Sequence, residues 1–169
     1  MTIKDSETKN IAILFSGGRD SSLAACIFAL KGYKVHLLSC ISGLEIKSDL
    51  SEYRVKELQE RFPENIVGRM LIPSFGLTRR IAILNIEQDF AKFKVNLIPI
   101  GAKLAMHATA IVYCLQHGIS LVSDGTSGYQ KHCPEQMEDA IELIKIFHRG
   151  YGIKYYTPIQ NFSSDEEVK

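Results

Sequence analysis

Residues 11–22, Ile-Ala-Ile-Leu-Phe-Ser-Gly-Gly-Arg-Asp-Ser-Ser, decide the fold prediction for this chain. The five apolar residues Ile11–Phe15 are typical of a strand that is buried on both faces of a parallel sheet. The glycines Gly17 and Gly18 let the backbone turn sharply and present its N–H groups to a ligand. The apolar stripe of Leu23, Ala24, Ile27 and Leu30 then predicts a helix, whose positive end favours an anion. The stretch therefore predicts a phosphate-binding loop at the carboxyl end of a central strand.

The same residues have a simpler interpretation, in which Ser16, Asp20 or Ser21 caps the helix after a tight turn. Two other nucleotide-binding motifs, GxxxxGK[ST] and GxGxxG, do not occur in the chain.

Length and composition predict one ordinary globular domain. The 169 residues are 46% hydrophobic and 23% charged, with a formal net charge of +1, so nucleic acid binding is not indicated. We expect an N-terminal extension over residues 1–10, a single domain over 11–162 that contains the predicted phosphate-binding loop, and a flexible tail over 163–169. The first residues do not resemble a signal peptide, and no apolar run is expected to span a bilayer.

Four cysteines are spaced too widely for a CxxC motif, so we expect no zinc and a reducing, cytoplasmic location. The histidines His36, His107 and His117 show no metal-ligand spacing either.

Strand-like and helix-like segments alternate along the chain, which predicts an α/β fold: a doubly wound, five-stranded parallel sheet with helices on both faces. The expected strands are Ile11–Phe15, Lys34–Cys40, Val67–Ile72, Ile119–Ser123 and Ile153–Tyr156. Beyond the first helix, apolar stripes predict three more: one at Val55, Leu58 and Phe62; one at Leu104, Ala108, Ile111, Val112 and Leu115; and one from Pro134 at Met137, Ala140, Ile141, Ile144 and Phe147. In the ambiguous stretch 74–100, residues 81–93 are interpreted as helical and 96–100 as a short apolar segment.

The string Ser16-Gly17-Gly18-Arg19-Asp20-Ser21 resembles the SGGxDS loop of the PP-loop ATP pyrophosphatase superfamily. The resemblance implies the adenine nucleotide alpha hydrolase-like fold and an enzyme that splits Mg-ATP between its α and β phosphates. Ser127-Gly128-Tyr129 and Pro134-Glu135 are further similar to an element of 7-cyano-7-deazaguanine synthase. The chain departs from that family at Lys131, His132 and Gly101-Ala102, and it lacks the C-terminal zinc cysteines.

The resemblance implies a second loop at the site, because Gly125-Thr126 is similar to a Gly-Thr pair of PP-loop synthetases. Asp20 and Asp124 would then hold Mg²⁺, which prefers oxygen ligands. The alternatives are a helix cap for Asp20 and an Asx turn for Asp124. Ser39 and Cys40 lie where the superfamily seats adenine and ribose.

Three further positions are candidates for contacts with phosphate or substrate. Lys103 stands in the first turn of a helix, where a cation is unfavourable unless an anion is nearby. Arg79 and Arg80 form a basic pair that could bind a carboxylate or phosphate, with surface solvation as the alternative. Cys133, in a loop, is a candidate substrate contact.

Together these features predict an enzyme that adenylates a carboxyl or amide oxygen of a small substrate for attack by ammonia or an amine. The expected catalytic residues are Ser16, Asp20 and Lys103. The expected nucleotide contacts are Ser16, Gly17, Gly18, Arg19, Asp20, Ser21, Ser22, Ser39, Cys40, Gly125 and Thr126. The expected metal ligands are Asp20 and Asp124, and the expected substrate contacts are Arg79, Arg80, Tyr129 and Cys133.

Two alternatives stay open. One is a tRNA sulfur-insertion enzyme of the same superfamily, which would depend on Cys133. The other is a non-catalytic ATP-binding subunit of a larger complex. For the assembly, a homodimer and a partner subunit are both open.

Overall fold

A five-stranded, all-parallel sheet with the strand order β3-β2-β1-β4-β5 forms the centre of the computed structural model. The structure describes residues 9–44, 50–162, 164 and 166. The strands are β1 (Asn10–Leu14), β2 (Lys34–Ile41), β3 (Ile66–Pro73), β4 (Leu121–Ser123) and β5 (Lys154–Tyr156). The predicted doubly wound α/β fold is thus confirmed, while the extension before residue 9 and most of the tail after 162 lie outside the described residues.

Six α-helices are found in the described part of the chain: α1 (Arg19–Leu30), α2 (Leu50–Arg61), α3 (Phe75–Thr78), α4 (Ile86–Phe93), α5 (Ile98–His117) and α6 (Glu138–Arg149). A π-helical segment, Arg79–Ile83, joins α3 to α4. Short 3-10 turns lie at Gly128–Gln130 and Pro134–Gln136.

Each face of the sheet has its own hydrophobic core. On one face the strand residues Ile11, Ile13 and Val35 pack with side chains of α1 and α2. On the other face Ala12 and Val122 pack with side chains of α5 and α6. Because alternate strand residues point to opposite faces, this division follows from the continuous apolar run of β1.

The strand order reverses beside β1. The chain proceeds from β1 outward to β2 and β3, then crosses back to place β4 on the other side of β1. In open α/β sheets a ligand binds outside the carboxyl ends of the strands at such a reversal. The loops that follow β1 and β4 are therefore the ones that the topology brings together.

Several sequence-based boundaries were wrong. The helix expected from Pro134 begins only at Glu138, because Pro134 starts a 3-10 turn instead. The short apolar segment expected at 96–100 is in part the start of α5, and the helix expected over 81–93 is split between the π-helical segment and α4.

The buried faces of two helices also differ from the prediction. In α5 Ile111 is buried as expected, but Leu104, Val112 and Leu115 are exposed. The rest of the buried face carries Gly101, Lys103, Ala105, His107, Thr109, Ala110, Tyr113 and Cys114. In α1 the expected core residue Leu30 is exposed, and the small residues Ala24, Ala25 and Ala29 lie against the sheet with Phe28.

The 20-residue helix α5 has a mean hydropathy of 1.4 in its most apolar window, which by length and composition alone is enough to cross a bilayer. The expectation that no run reaches this length was wrong. Half of that window is buried inside the fold, and α5 contacts β1, β2 and β4. Apolar side chains of α5 thus pack in the hydrophobic core on one face of the sheet.

Candidate functional site

The β1–α1 loop, residues 15–18, turns at Gly17, whose φ of +81° favours glycine. The turn is also tight in space, because a Cβ on Gly17 would lie 2.5 Å from the Cα of Ser51 in α2. Ser16 at the tip is exposed, and its Oγ accepts a hydrogen bond from the backbone N–H of Gly18 at 3.3 Å. The loop is held in shape by its own groups and by α2.

Helix α1 begins after Gly18, and no side-chain cap hydrogen bond is found there among the described residues. The hydroxyls of Ser21 and Ser22 instead donate to the carbonyl of Gly18, at 3.2 and 2.8 Å. The interpretation of this stretch as a capped helix start does not hold. The backbone N–H groups of the first turn and the positive end of the helix dipole favour an anion here, and Asp20 in the same turn favours a cation beside it.

The loop after β4, residues 124–129, packs directly on the first turn of α1. A Cβ on Gly125 would lie 2.6 Å from the backbone nitrogen of Ser21 and 2.9 Å from the Cβ of Asp20. Such an approach between two backbones requires glycine. The hydroxyl of Tyr129 also donates to Oδ1 of Asp20 at 2.6 Å. These contacts place the loop after β4 beside the start of α1, so that it and the β1–α1 loop form one site, as was expected from the sequence.

Lys103 is buried, with 6% of its surface exposed. Its ammonium group donates to Thr126 Oγ1 at 2.6 Å and lies 3.4 Å from Asp124 Oδ2. Lys103 is the sixth residue of α5, so the prediction that it stands in the first turn was wrong, and its side chain is buried rather than solvated. A buried cation needs an anionic partner, and Lys103 has one at the edge of the candidate site.

Asp124 is also buried, and both of its oxygens face protein groups. Oδ1 accepts the backbone N–H of Thr126 at 2.9 Å, and Oδ2 faces Lys103 and His107, the latter at 3.5 Å from Nε2. Burial works against ionisation of Asp124, but the charge of Lys103 and the contacts with His107 and Thr126 lower its pKa. This arrangement favours a role in positioning Lys103 over the predicted role as a metal ligand.

Behind Asp124 the polar contacts continue into the core. His107 Nδ1 lies 2.9 Å from Nε2 of His148, and both rings are fully buried. The His148 ring stacks on Tyr155, with 5.5 Å between ring centroids, and Tyr155 Oη lies 3.4 Å from Thr126 Oγ1. The network therefore joins α5, α6, β5 and the loop after β4.

Ser39 and Cys40 lie at the end of β2 but face other protein groups. Ser39 Oγ donates to the carbonyl of Phe15 at 2.8 Å and accepts from Arg69 Nε at 2.9 Å. Cys40 Sγ is 4.0 Å from the carbonyl of Met106. Ser39 therefore braces the β1–α1 loop, and Arg69 is a basic group that the sequence prediction missed.

The other predicted substrate residues differ in their distance from the two loops. The N–H of Cys133 donates to the carbonyl of Gln130, next to the loop after β4, at 2.9 Å. Among the described residues, no hydrogen bond or ion pair is found that joins the side chains of Arg79 and Arg80 to either loop. Arg79 and Arg80 are exposed on the π-helical segment. Cys133 is half-buried, and it precedes the 3-10 turn that begins at Pro134.

A magnesium site with several protein carboxylates is not evident in the described ranges, which contain no group of three or more potential metal-ligating side chains. Asp20 fits the ion better than Asp124, because only one of its oxygens, Oδ1, accepts a hydrogen bond from a described residue. A magnesium ion bound there would depend on phosphate oxygens for its other ligands, as such ions commonly do.

A cavity of about 550 Å³ in the described part of the fold lies elsewhere. It is lined by the apolar groups of α4 and the start of α5, including Ile86, Phe90 and Leu97. None of its lining residues belongs to the two loops, so its size alone does not make it the functional site.

The buried histidines predict an acid-sensitive fold. Burial lowers the pKa of His148 to about 3 and also lowers that of His107. Below about pH 6.5 the unfolded chain binds protons that the folded chain excludes. The free energy of unfolding must therefore decrease as the pH is lowered. We expect His148→Phe to reduce this slope between pH 6.5 and 4 by up to about 1.4 kcal/mol per pH unit in urea unfolding. The exposed control His132→Gln should keep the wild-type slope, and equal slopes in all three proteins would contradict the assignment.

Comparisons with known proteins support the fold. No family model matches the chain. An uncharacterized protein of Methanocaldococcus jannaschii is 26% identical over 153 residues, which cover 90% of this chain and 67% of that protein. A crystal structure from the same organism, described as a predicted subunit of tRNA methyltransferase, matches with a TM-score of 0.61 at 25% identity, over 95% of this chain and 72% of that one. The chain is thus similar in sequence to one protein of this organism and in architecture to a solved structure from it.

Proposed function

We propose that the protein is an ATP pyrophosphatase of the PP-loop type, which binds Mg-ATP, breaks the bond between the α and β phosphates and adenylates a small substrate. One observation carries the proposal: the backbone of Gly125 lies against that of Ser21 at the reversal of strand order. The contact joins a glycine-bearing loop to the N-terminus of α1, and Lys103 is bound to the same loop through Thr126.

Each element has a role that its chemistry supports. Backbone N–H groups at Gly17, Gly18 and the first turn of α1 stabilise negative charge on the departing pyrophosphate. The exposed Ser16 hydroxyl donates to a phosphate oxygen. Lys103 supplies positive charge from the side of Thr126, where Asp124 holds it. A magnesium ion beside Asp20 would neutralise phosphate charge when bound.

The proposed reaction has two steps. A carboxylate or amide oxygen of the substrate attacks the α phosphorus, and the α–β bridging oxygen leaves with pyrophosphate. Ammonia or an amine then attacks the activated carbon, and AMP leaves with the substrate oxygen. Holding the phosphates in line with the attacking oxygen is the main contribution of the protein in such transfers.

Product analysis tests this proposal. With Mg-ATP, ammonia and a panel of small carboxylic acids and amides, we expect AMP and pyrophosphate in equal amounts, detected by ³¹P NMR. Gly17→Ala should abolish the reaction, because the added Cβ meets Ser51 and the residue needs a positive φ. Gly76→Ala, whose Cβ meets no atom within 4 Å, is the matched control and should react like the wild type. Formation of ADP and phosphate would contradict the proposal.

A second candidate function is an ATP-binding subunit that acts with a partner protein. Several large apolar side chains between residues 75 and 95 are exposed, among them Phe75, Leu84 and Phe90. The similar crystal structure is itself described as that of a predicted subunit. Tight ATP binding in calorimetry without turnover in any mixture of the panel would favour this candidate over an enzyme that acts alone.

A further inference from the structure

We infer that His107 and His148 are positioning residues that hold Asp124, and through it Lys103, in the geometry needed for ATP. The inference rests on the proposed function, because it assigns Lys103 to the phosphates. It extends the site into the core of the protein, to two residues that do not touch the nucleotide.

The contacts form an ordered chain. Lys103 Nζ lies 3.4 Å from Asp124 Oδ2, and the same oxygen lies 3.5 Å from His107 Nε2. His107 Nδ1 lies 2.9 Å from His148 Nε2. Lys103 and His107 are one turn apart on α5 and so share a face, whereas His148 stands near the end of α6. A shift of α6 relative to α5 would therefore change the contacts of Asp124.

The carboxylate decides where the histidine protons lie. A lone pair of His107 facing Asp124 would be repelled, so the proton of the neutral ring is on Nε2. Nδ1 of His107 is then an acceptor, and His148 must donate to it from Nε2. This leaves Nδ1 of His148 as the unprotonated nitrogen, a buried atom without a hydrogen-bond partner. His107 Nε2 makes no well-formed hydrogen bond either, but it lies 3.5 Å from Asp124 Oδ2, so a proton there faces the carboxylate. The opposite arrangement would bury an unpaired donor there and repel Asp124.

A directed chain of this kind fixes the position of Asp124, because Oδ1 is already bound by the backbone of Thr126. With both oxygens oriented, Asp124 places the ammonium group of Lys103 against Thr126 Oγ1 rather than elsewhere in the core. Groups that orient a charged residue in this way commonly change ligand affinity when they are removed.

Paired variants test the inference. His107→Gln keeps an amide donor for Asp124, whereas His107→Leu removes it. We expect His107→Leu to bind ATP about tenfold more weakly, as for the loss of one hydrogen bond to a charged group, and His107→Gln to remain within about threefold of wild type. Adenosine, which has no phosphates, should bind all three proteins equally.

A purely structural role would lower the stability of both variants without separating their affinities for ATP. If His107→Leu does not fold, His148→Phe serves instead, because it keeps the stacking on Tyr155 and removes only the donor to His107. In that variant we expect ATP affinity to fall while adenosine affinity is kept. Nitrogen NMR of the imidazole rings in the wild type should find both protons on Nε2.

The possible failures are distinguishable. A wild-type protein that does not bind ATP refutes the proposed function and the inference together. If the wild type binds ATP but His107→Leu or His148→Phe binds it equally tightly, the inference alone is refuted. A proton on Nδ1 of His107 would also refute the inference alone.

Discussion

Gly125→Ala is expected to destabilise the protein by about 2 to 3 kcal/mol and to weaken ATP binding about 100-fold. The added Cβ would lie 2.6 Å from the backbone nitrogen of Ser21 and 2.9 Å from two atoms of Asp20. Neither neighbour is the flexible end of a side chain, so the loop after β4 must move away from α1. A displacement of about 1 Å at such a site can cost about 100-fold in function.

Urea unfolding and titration calorimetry with ATP measure the two effects. Gly76→Ala is the matched control, since the same added methyl group meets no atom within 4 Å there. We expect this control to be as stable as the wild type or slightly more so, because alanine favours the helical conformation of α3. If Gly125→Ala binds ATP as well as Gly76→Ala, the two loops do not form one phosphate site.

Lys103→Met is expected to cost about 3 to 5 kcal/mol of stability near pH 7, because it leaves the carboxylate of Asp124 buried without a cation. The variant should also lose ATP binding, since the positive charge of Lys103 is the one proposed to contact the phosphates. In the wild type the lowered pKa of Asp124 gives stability that is present above about pH 4 and lost as the pH falls. In the variant burial raises that pKa, so the stability lost should grow as the pH rises from 4 to 7.

A double variant separates charge from packing. Lys103→Met combined with Asp124→Asn removes both charges, so it should be more stable at pH 7 than Lys103→Met alone by about 1 to 3 kcal/mol. ATP binding should not return, because the positive charge is still missing. A double variant no more stable than Lys103→Met would show that Asp124 is not the partner that makes the lysine necessary.

The doubly wound parallel sheet could be predicted from the alternation of apolar strands with helical stripes, whereas the strand order comes from the structure. Ile11–Phe15 is apolar throughout because β1 is covered on both faces, and this continuity is visible without a structure. The pairing of Gly125 with the β1–α1 loop was implied by the resemblance of Gly125-Thr126 to PP-loop synthetases, and the structure places β4 beside β1.

The burial of α5 could not be predicted in the same way. An apolar stripe normally marks the buried face of a helix, yet here Leu104, Val112 and Leu115 are exposed. The buried face instead contains Lys103 and His107, whose partners come from the loop after β4 and from α6. Long-range partners of this kind leave only a weak trace in the sequence, namely two polar residues spaced four apart on an apolar helix.

The segment between β3 and α5 was also beyond sequence reasoning. Its apolar residues follow no single period, because the backbone passes from α3 through a π-helical segment into α4. Many apolar side chains of this segment are exposed, so its apolar residues do not mark a buried helix face.

The most direct measurement is a crystal structure of the protein with Mg²⁺ and α,β-methylene-ATP, which cannot be cleaved at the bond in question. We expect the phosphates to lie against the backbone of Gly17 and Gly18 and the first turn of α1, with Gly125 on the opposite side. An analogue bound instead in the cavity lined by Ile86 and Phe90, or an empty β1–α1 loop at millimolar analogue, would contradict the proposed site.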